Sequence, residues 1–218
     1  MNQFIDHTLL KQNAVKEDFI KLCKEAKQYQ FKTVCVNGSR VPLVAELLKG
    51  SGVGVCATIG FPLGAMSTAS KAFEAAQCIQ DGANEIDMVL NVGKLLDGDY
   101  EYVVKDIAAV KQAIGQHTLK VIIEACLLND EQKVMATQAV IDAKADFVKT
   151  STGFSTHGAT KEDVALLKSV AKDIIEVKAA GGVRSYEDVM AMLEAGATRI
   201  GTSSGVALIK KITSTSDY

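Results

Sequence analysis

The chain has 218 residues, of which 48% are hydrophobic, and its 24 basic and 26 acidic side chains give a formal net charge of −2. This length and hydrophobic content suit one globular domain with a substantial core. The charges are interspersed and leave no broad basic surface for nucleic acid or an anionic membrane, so we expect neither as a partner. Any recognition of an anion must therefore be local.

Five cysteines are scattered through the chain, mostly within apolar runs. No CxxC pair and no group of Cys and His at metal-ligand spacing accompanies them, so we predict reduced, buried thiols and no bound metal. The N-terminus lacks a basic segment followed by an apolar one, and no run approaches the ~18 apolar residues of a membrane span. The sequence therefore favours a cytoplasmic location.

Short apolar runs alternate with longer segments from one end of the chain to the other. The longer segments carry apolar residues every three to four positions, as in helices that cover a sheet with one face. Helix starts are indicated by Asn13, Asp130, Thr160 and Ser185. The short runs predict strands at residues 4–6, 32–36, 54–59, 85–89, 119–124, 146–150, 174–178 and 198–201.

This alternation of strand and helix favours a parallel sheet. Because eight such units follow one another without a linker, we predict an α/β fold, a single-domain (β/α)8 TIM barrel over residues 1–218, with a polar tail from about residue 213. The alternative is an open doubly wound sheet. It is less favoured because the first strand is not followed by a GxGxxG turn.

Three charged residues fall near the predicted carboxyl ends of strands, where a barrel places its active site: Asp87, Lys149 and Lys178. Burying a lysine costs several kcal/mol unless something compensates its charge or the amine loses its proton. Solvated strand ends or simple ion pairs remain the alternative interpretation. The strand pattern does not decide which face points into the barrel.

Two lysines near one aspartate also suit amine catalysis. A lysine that attacks a carbonyl must be neutral, and at an ordinary pKa of roughly 10.4 only about one in a thousand is neutral near pH 7.5. A second ammonium and apolar surroundings both lower such a pKa. Lys178 could exert this effect on Lys149, with Asp87 holding the cationic partner and moving protons.

Glycine-rich turns follow the last strands. Gly181 and Gly182 come after the seventh strand, and Ser203 and Ser204 come after the eighth. Barrels often bind phosphate there, on free backbone N–H groups at the start of a helix. Thr152 and Gly153 could add donors after the sixth strand. Alternatively, the glycines are only turn residues.

With these residues in place, the chain resembles the deoxyribose-phosphate aldolase family over essentially its whole length. The resemblance implies a (β/α)8 barrel without metal or cofactor that reversibly cleaves 2-deoxy-D-ribose 5-phosphate to acetaldehyde and D-glyceraldehyde 3-phosphate. It rests on motifs that occur in family order: Asp6-His7-Thr8-Leu9-Leu10, Gly60-Phe61-Pro62-Leu63-Gly64, Glu85-Ile86-Asp87-Met88-Val89, Lys120-Val121-Ile122-Ile123-Glu124, Asp146 to Gly153, Lys178 to Arg184, and Gly201-Thr202-Ser203-Ser204.

The resemblance also implies residue roles. Lys149 falls at the family's Schiff-base lysine, Lys178 at the lysine that lowers its pKa, and Asp87 at the proton-transfer aspartate. The phosphate loops correspond to Gly153, Gly181, Gly182, Ser203 and Ser204, and the auxiliary positions to Asp6, Thr152 and the terminal Tyr218, a proton donor in the family.

Two positions depart from the family pattern. Asn37-Gly38-Ser39 stands where many members carry a proline, and His157 stands where a small residue is common. Neither touches the catalytic trio, so loop shape and substrate tolerance are the properties they put in question. Two other functions stay open: a Schiff-base aldolase or transaldolase for a longer sugar phosphate, and a non-catalytic sugar-phosphate sensor. Small barrels commonly pair, so we expect a homodimer.

Overall fold

A computed structural model of the protein describes residues 1–213. Its eight strands are parallel and form a closed barrel in chain order, with β8 pairing to β1. The predicted (β/α)8 barrel is therefore confirmed, and the open sheet is excluded. The strands are β1 Ile5–Leu9, β2 Thr33–Asn37, β3 Gly54–Ile59, β4 Glu85–Val89, β5 Thr118–Ile122, β6 Phe147–Lys149, β7 Glu176–Ala180 and β8 Arg199–Thr202.

Helices follow the strands and pack their apolar stripes against the outside of the barrel. The first helix buries Phe19, Leu22, Cys23 and Ala26 of the predicted stripe, whereas Val15, also predicted to belong to it, is 54% exposed and precedes the helix. The helices are α1 Lys16–Tyr29, α2 Val41–Leu48, α3 Thr68–Gln80, α4 Val92–Leu96, α5 Tyr100–Ile114, α6 Asp130–Asp142, α7 Lys161–Ala171, α8 Tyr186–Glu194 and α9 Gly205–Ile209. No helix within residues 1–213 is long and apolar enough to cross a membrane.

Two of the predicted helix starts are confirmed. Thr160 caps α7 and Ser185 caps α8, each accepting a hydrogen bond from a backbone N–H three residues on. Asn13 does not cap α1, whose N-cap is Val15, and Asp130 is the first residue of α6 rather than its cap. Asn129 caps α6 through a reciprocal pair with Gln132, and at α1 the Asp18 carboxylate accepts from the Val15 N–H.

β3 and β4 match the predicted runs at both ends, four strands differ by one or two residues at an end, and β1 and β7 differ most. β1 continues past Asp6 because Thr8 and Leu9 still pair with β2. β7 is shifted by two residues because Ile174 is 66% exposed whereas Ala180 pairs with β8. Lys178 therefore lies in the middle of its strand, while Lys149 is the last residue of β6.

Candidate active site

Strand alternation places one set of charged side chains inside the barrel. Asp87 on β4 contacts Lys178 on β7, and Arg199 on β8 contacts Glu85 on β4. Strands that far apart in the barrel can touch only across its interior, so these side chains point inward. The face that the sequence left undecided is thereby fixed.

The predicted trio meets at the Asp87 carboxylate. Its Oδ2 accepts hydrogen bonds from Lys149 Nζ at 2.8 Å and Lys178 Nζ at 2.7 Å. Its Oδ1 accepts from Lys120 Nζ at 3.0 Å and from the Cys56 thiol at 3.1 Å. Asp87, Lys120 and Lys178 are fully buried, whereas Lys149 is 2% exposed. Three lysine side chains therefore surround one buried carboxylate.

Asp6 forms a second junction in the same interior. Its Oδ2 lies 2.5 Å from Lys178 Nζ, and its Oδ1 accepts from Arg199 Nη1 at 2.9 Å and from Thr33 Oγ1 at 2.7 Å. The Arg199 guanidinium also reaches Glu85 at 2.8 Å. Asp6, predicted as an auxiliary residue, is thus a second anionic partner of Lys178.

The charges change the acidity of these groups in opposite directions. Burial would raise the pKa of Asp87, but Lys120, Lys149 and Lys178 hold it well below the ordinary value. Burial would lower the pKa of Lys178, but the Asp6 and Asp87 carboxylates raise it well above the ordinary value. Lys178 therefore stays protonated beside Lys149.

The three lysines in the barrel differ in how many carboxylates they contact. Within the described residues, this network combines four cations with three carboxylates: Lys120, Lys149, Lys178 and Arg199 with Asp6, Glu85 and Asp87. Lys120 and Lys178 each contact two carboxylates, whereas the one ion pair described for Lys149 is to an oxygen that Lys178 shares. The set therefore holds one more basic side chain than carboxylates.

The sequence interpretation did not assign Lys120, Arg199, Glu85 or Cys56 to the site. A signal was available: Lys120 interrupts an apolar run, and it pairs in register with Asp87 on the neighbouring strand. Recognising that relation requires the strand register, because strand alternation alone leaves the inward face undecided.

Cys35, Cys56 and Asp87 bring their ligand atoms within 4.8 Å of one another. Such a set can hold a metal ion in other proteins. Here Asp87 also receives three lysine ammonium groups, so a divalent cation would meet strong repulsion. The donor set does not fit a metal. Cys23, Cys35, Cys56 and Cys78 are buried, Cys126 is partly so, and all five are free thiols.

The predicted phosphate residues separate into two places. Gly153, Gly181 and Gly182 line one cavity of about 460 Å³, together with Ser155, Thr156, His157, Gly158 and Arg184. Ser203 lines a different cavity beside His7 and Lys11. Ser204 is buried, and its backbone N–H donates to Thr202 Oγ1. The structure thus brings the three glycines together, but neither Ser203 nor Ser204 lines their cavity.

Two loops are joined at Gly158. The Ala159 N–H donates to the carbonyls of Ala180 and Gly181, and a Cβ on Gly158 would lie 2.2 Å from the Gly181 carbonyl. Gly181 and Gly182 adopt φ of +81° and +75°, a region that favours glycine. The loop after β6 is therefore fastened to the glycine turn after β7.

We expect Gly158→Ala to destabilise the protein, because the new methyl group must displace the Gly181 backbone. Such overpacking costs typically about 1–3 kcal/mol of unfolding free energy. Urea unfolding measures the change, and KM for a phosphorylated substrate should rise. Gly93→Ala is the control, because a Cβ there meets only Asn91 Oδ1 at an ordinary 3.6 Å. Equal effects from the two variants would contradict the close approach.

Thr152 has a defined partner in the structure. Its hydroxyl donates to Glu124 Oε2 at 2.5 Å, its N–H donates to Glu124 Oε1, and it accepts from the Phe154 N–H. Glu124 is buried and has a left-handed φ of 50°. Thr152 therefore holds the loop after β6 in place. Tyr218 lies outside the described residues.

The buried carboxylates also predict how stability depends on pH. The pKa of Asp6 lies below its ordinary value, because Lys178, Lys120 and Arg199 outweigh the effect of burial. This stabilisation is fully present above the unfolded pKa of about 3.9, and it is lost as pH falls towards the folded value. We expect Asp6→Asn to lower the unfolding free energy at pH 7 by about 3–5 kcal/mol, since it leaves buried cations uncompensated.

Urea unfolding at several pH values would test this. The difference between wild type and Asp6→Asn should shrink below about pH 4, where the wild-type carboxylate begins to lose its contribution. Asp99→Asn is a control, because its ion pair with Lys94 is about half exposed and exposed pairs contribute little. A difference for Asp6→Asn that stayed constant from pH 7 to pH 3 would show that its charge is not responsible.

The fold and the site together define a class of protein. It is a (β/α)8 barrel whose interior groups lysine amines around a carboxylate, as in barrel enzymes that use a lysine amine as nucleophile. Residues 1–214 match the model of the DeoC/LacD family aldolases. The chain belongs to this family, and it is therefore a lyase of the aldolase type.

Curated relatives agree. The chain is 56% identical over 210 residues to deoxyribose-phosphate aldolase 1 of Mesoplasma florum, which covers 96% of each chain. It is 58% identical over 209 residues to the deoxyribose-phosphate aldolase of Brevibacillus brevis, covering 96% of this chain and 95% of the relative. The resemblance recognised in the sequence is thereby confirmed.

Solved structures have the same fold. The tetrameric deoxyribose phosphate aldolase of Aeropyrum pernix superposes with a TM-score of 0.89 at 36% identity, covering 96% of this chain and 89% of the other. An aldolase called QR15 superposes with a TM-score of 0.93 at 39% identity, covering 96% and 94%.

Proposed function

We propose that this protein reversibly cleaves 2-deoxy-D-ribose 5-phosphate to acetaldehyde and D-glyceraldehyde 3-phosphate through a Schiff base on Lys149. The supporting observation is the shared Asp87 Oδ2, which accepts hydrogen bonds from both Lys149 and Lys178 in the buried interior of the barrel. Curated relatives that are more than half identical carry the name of this activity.

In the first step, neutral Lys149 Nζ attacks the C1 aldehyde carbon of the open-chain sugar and forms a carbinolamine. Loss of water then gives an iminium ion. Lys149 suits this step because it ends its strand and contacts one shared carboxylate oxygen. Protonated Lys178 beside it disfavours a second positive charge on Lys149.

In the second step, the C3 hydroxyl loses its proton and the C2–C3 bond breaks. Its electron pair moves toward the iminium nitrogen, which releases D-glyceraldehyde 3-phosphate and leaves an enamine on Lys149. Protonation at C2 and hydrolysis of the iminium then release acetaldehyde and restore the amine.

Asp87 has two roles in this proposal. Its low pKa makes the resting carboxylate a weak base, and this favours its function as the anchor that holds Lys149 and Lys178 together. When Lys149 becomes covalently bound, Asp87 Oδ2 keeps Lys178 as its partner and can pass protons directly or through water. Asp6 would hold Lys178 in place during the cycle.

The purified protein should release acetaldehyde from 2-deoxyribose 5-phosphate, measured with a coupled alcohol dehydrogenase. A panel of longer sugar phosphates separates this activity from that of a transaldolase. A non-catalytic sensor would instead gain thermal stability from the sugar phosphate, as ligand linkage requires, and release no aldehyde.

We further propose that the 218-residue chain acts as one barrel domain and works as a homodimer in the cytoplasm. Five unpaired cysteines suit a reducing compartment. Light scattering measures the oligomeric state directly, and a tetramer or monomer would overturn the dimer.

A further inference from the structure

One residue near the glycine turns is not used by the proposed mechanism. His157 lines the same cavity as Gly153, Gly181 and Gly182, and its side chain is exposed. Arg184 also lines this cavity. None of the described residues that line it is Asp or Glu. The cavity therefore suits an anion.

The backbone fixes the position of His157. Gly158 packs against the Gly181 backbone with no room for a side chain, and Ala159 donates to the carbonyl of Gly181. The residue before Gly158 is consequently held beside the glycine turn rather than carried on an independent loop. The imidazole at that position lines the cavity.

We propose that His157 is a specificity-determining residue whose imidazole N–H donates a hydrogen bond to the phosphate group of the substrate. This inference rests on the proposed function, because it assigns the phosphate end of the same substrate. A neutral imidazole offers one N–H donor and a protonated imidazole offers two, so either form can bind a phosphate oxygen. Hydrogen bonds to an ionised acceptor are the stronger class.

The test compares two substrates in His157→Ala. For 2-deoxyribose 5-phosphate, KM should rise about tenfold or more, as expected for one lost hydrogen bond to a charged group, with kcat within about twofold. For unphosphorylated 2-deoxyribose, kcat/KM should not change. His157→Gln retains an N–H donor and should recover part of the loss. His117→Ala is the matched control, because His117 lies beside the start of β5, at the opposite end of the barrel.

A direct reading of binding uses inorganic phosphate and the histidine ring-proton NMR signals. The signal that His157→Ala removes should shift on addition of phosphate, and the signal of His117 should not. An equal KM in wild type and variant, or an unshifted His157 signal, overturns the inference. A wild-type enzyme that is inactive on both sugars overturns the proposed function instead, and the NMR titration still decides the role of His157.

Discussion

Replacing Lys149 with leucine should lower kcat by a factor on the order of 10⁴ or more, because the covalent route loses its nucleophile. Incubating the wild type with acetaldehyde and borohydride should add an ethyl group to Lys149, as peptide mapping by mass spectrometry would show. The variant should acquire no such modification at this site. The fold should persist, because Asp87 retains contacts with Lys120 and Lys178.

A matched control separates trapping at the site from general lysine modification. Lys105 is exposed on α5 and pairs with Glu101. The Lys105→Leu variant should therefore be active and acquire the ethyl group on Lys149 like the wild type. Thermal unfolding of Lys149→Leu checks that activity is not lost through misfolding. A labelled lysine elsewhere that remains labelled in Lys149→Leu would refute the assignment of the nucleophile.

The architecture could be predicted from the sequence because periodicity and strand spacing are local properties. Residues 54–59 and 85–89 match β3 and β4 at both ends. β7 was misplaced because Ile174 looks like part of a buried strand, yet it is exposed where the chain turns into β7. Pairing between strands decides such ends, and a single run does not contain that information.

The proposed catalytic trio, Asp87, Lys149 and Lys178, could be recognised as charged residues in apolar strands, whereas their partners could not. Arg199 contacts Asp6 across almost the full length of the chain. This contact depends on closure of the barrel and on the register between β8 and β1. A local pattern carries neither property. The separation of Ser203 from the glycine cavity is likewise set by the packing of loops.

The interior network explains why lysines can be buried here at all. Each carboxylate contacts at least two cations, so the cost of desolvating one charge is shared among several partners. The network holds one more basic side chain than carboxylates, and Lys149 is the amine with the fewest carboxylate contacts. A fully neutralised network would hold its lysine protonated and unreactive.

Lys178→Leu tests that argument, because it removes the neighbouring charge and leaves the nucleophile. The two amines lie within 2.8 Å of one oxygen, so their nitrogens are less than about 6 Å apart. Repulsion between unit charges about 5 Å apart amounts to about 3 kcal/mol at an effective dielectric constant of 20, which corresponds to about two pH units. Without Lys178, the rise of activity with pH should move upward by about that much, and kcat at pH 7 should fall about 100-fold.

The decisive measurement is the pH profile of kcat for wild type, Lys178→Leu and Lys178→Arg. The arginine variant keeps the positive charge, so it should retain the wild-type pH range even if altered geometry lowers kcat. A leucine variant that is slower at every pH but has an unchanged profile would show that Lys178 positions substrate or transfers protons. If the role of Lys178 is electrostatic, the activity of Lys178→Leu should return as the pH is raised. At higher pH, Lys149 loses its proton to solvent without the help of a neighbouring charge.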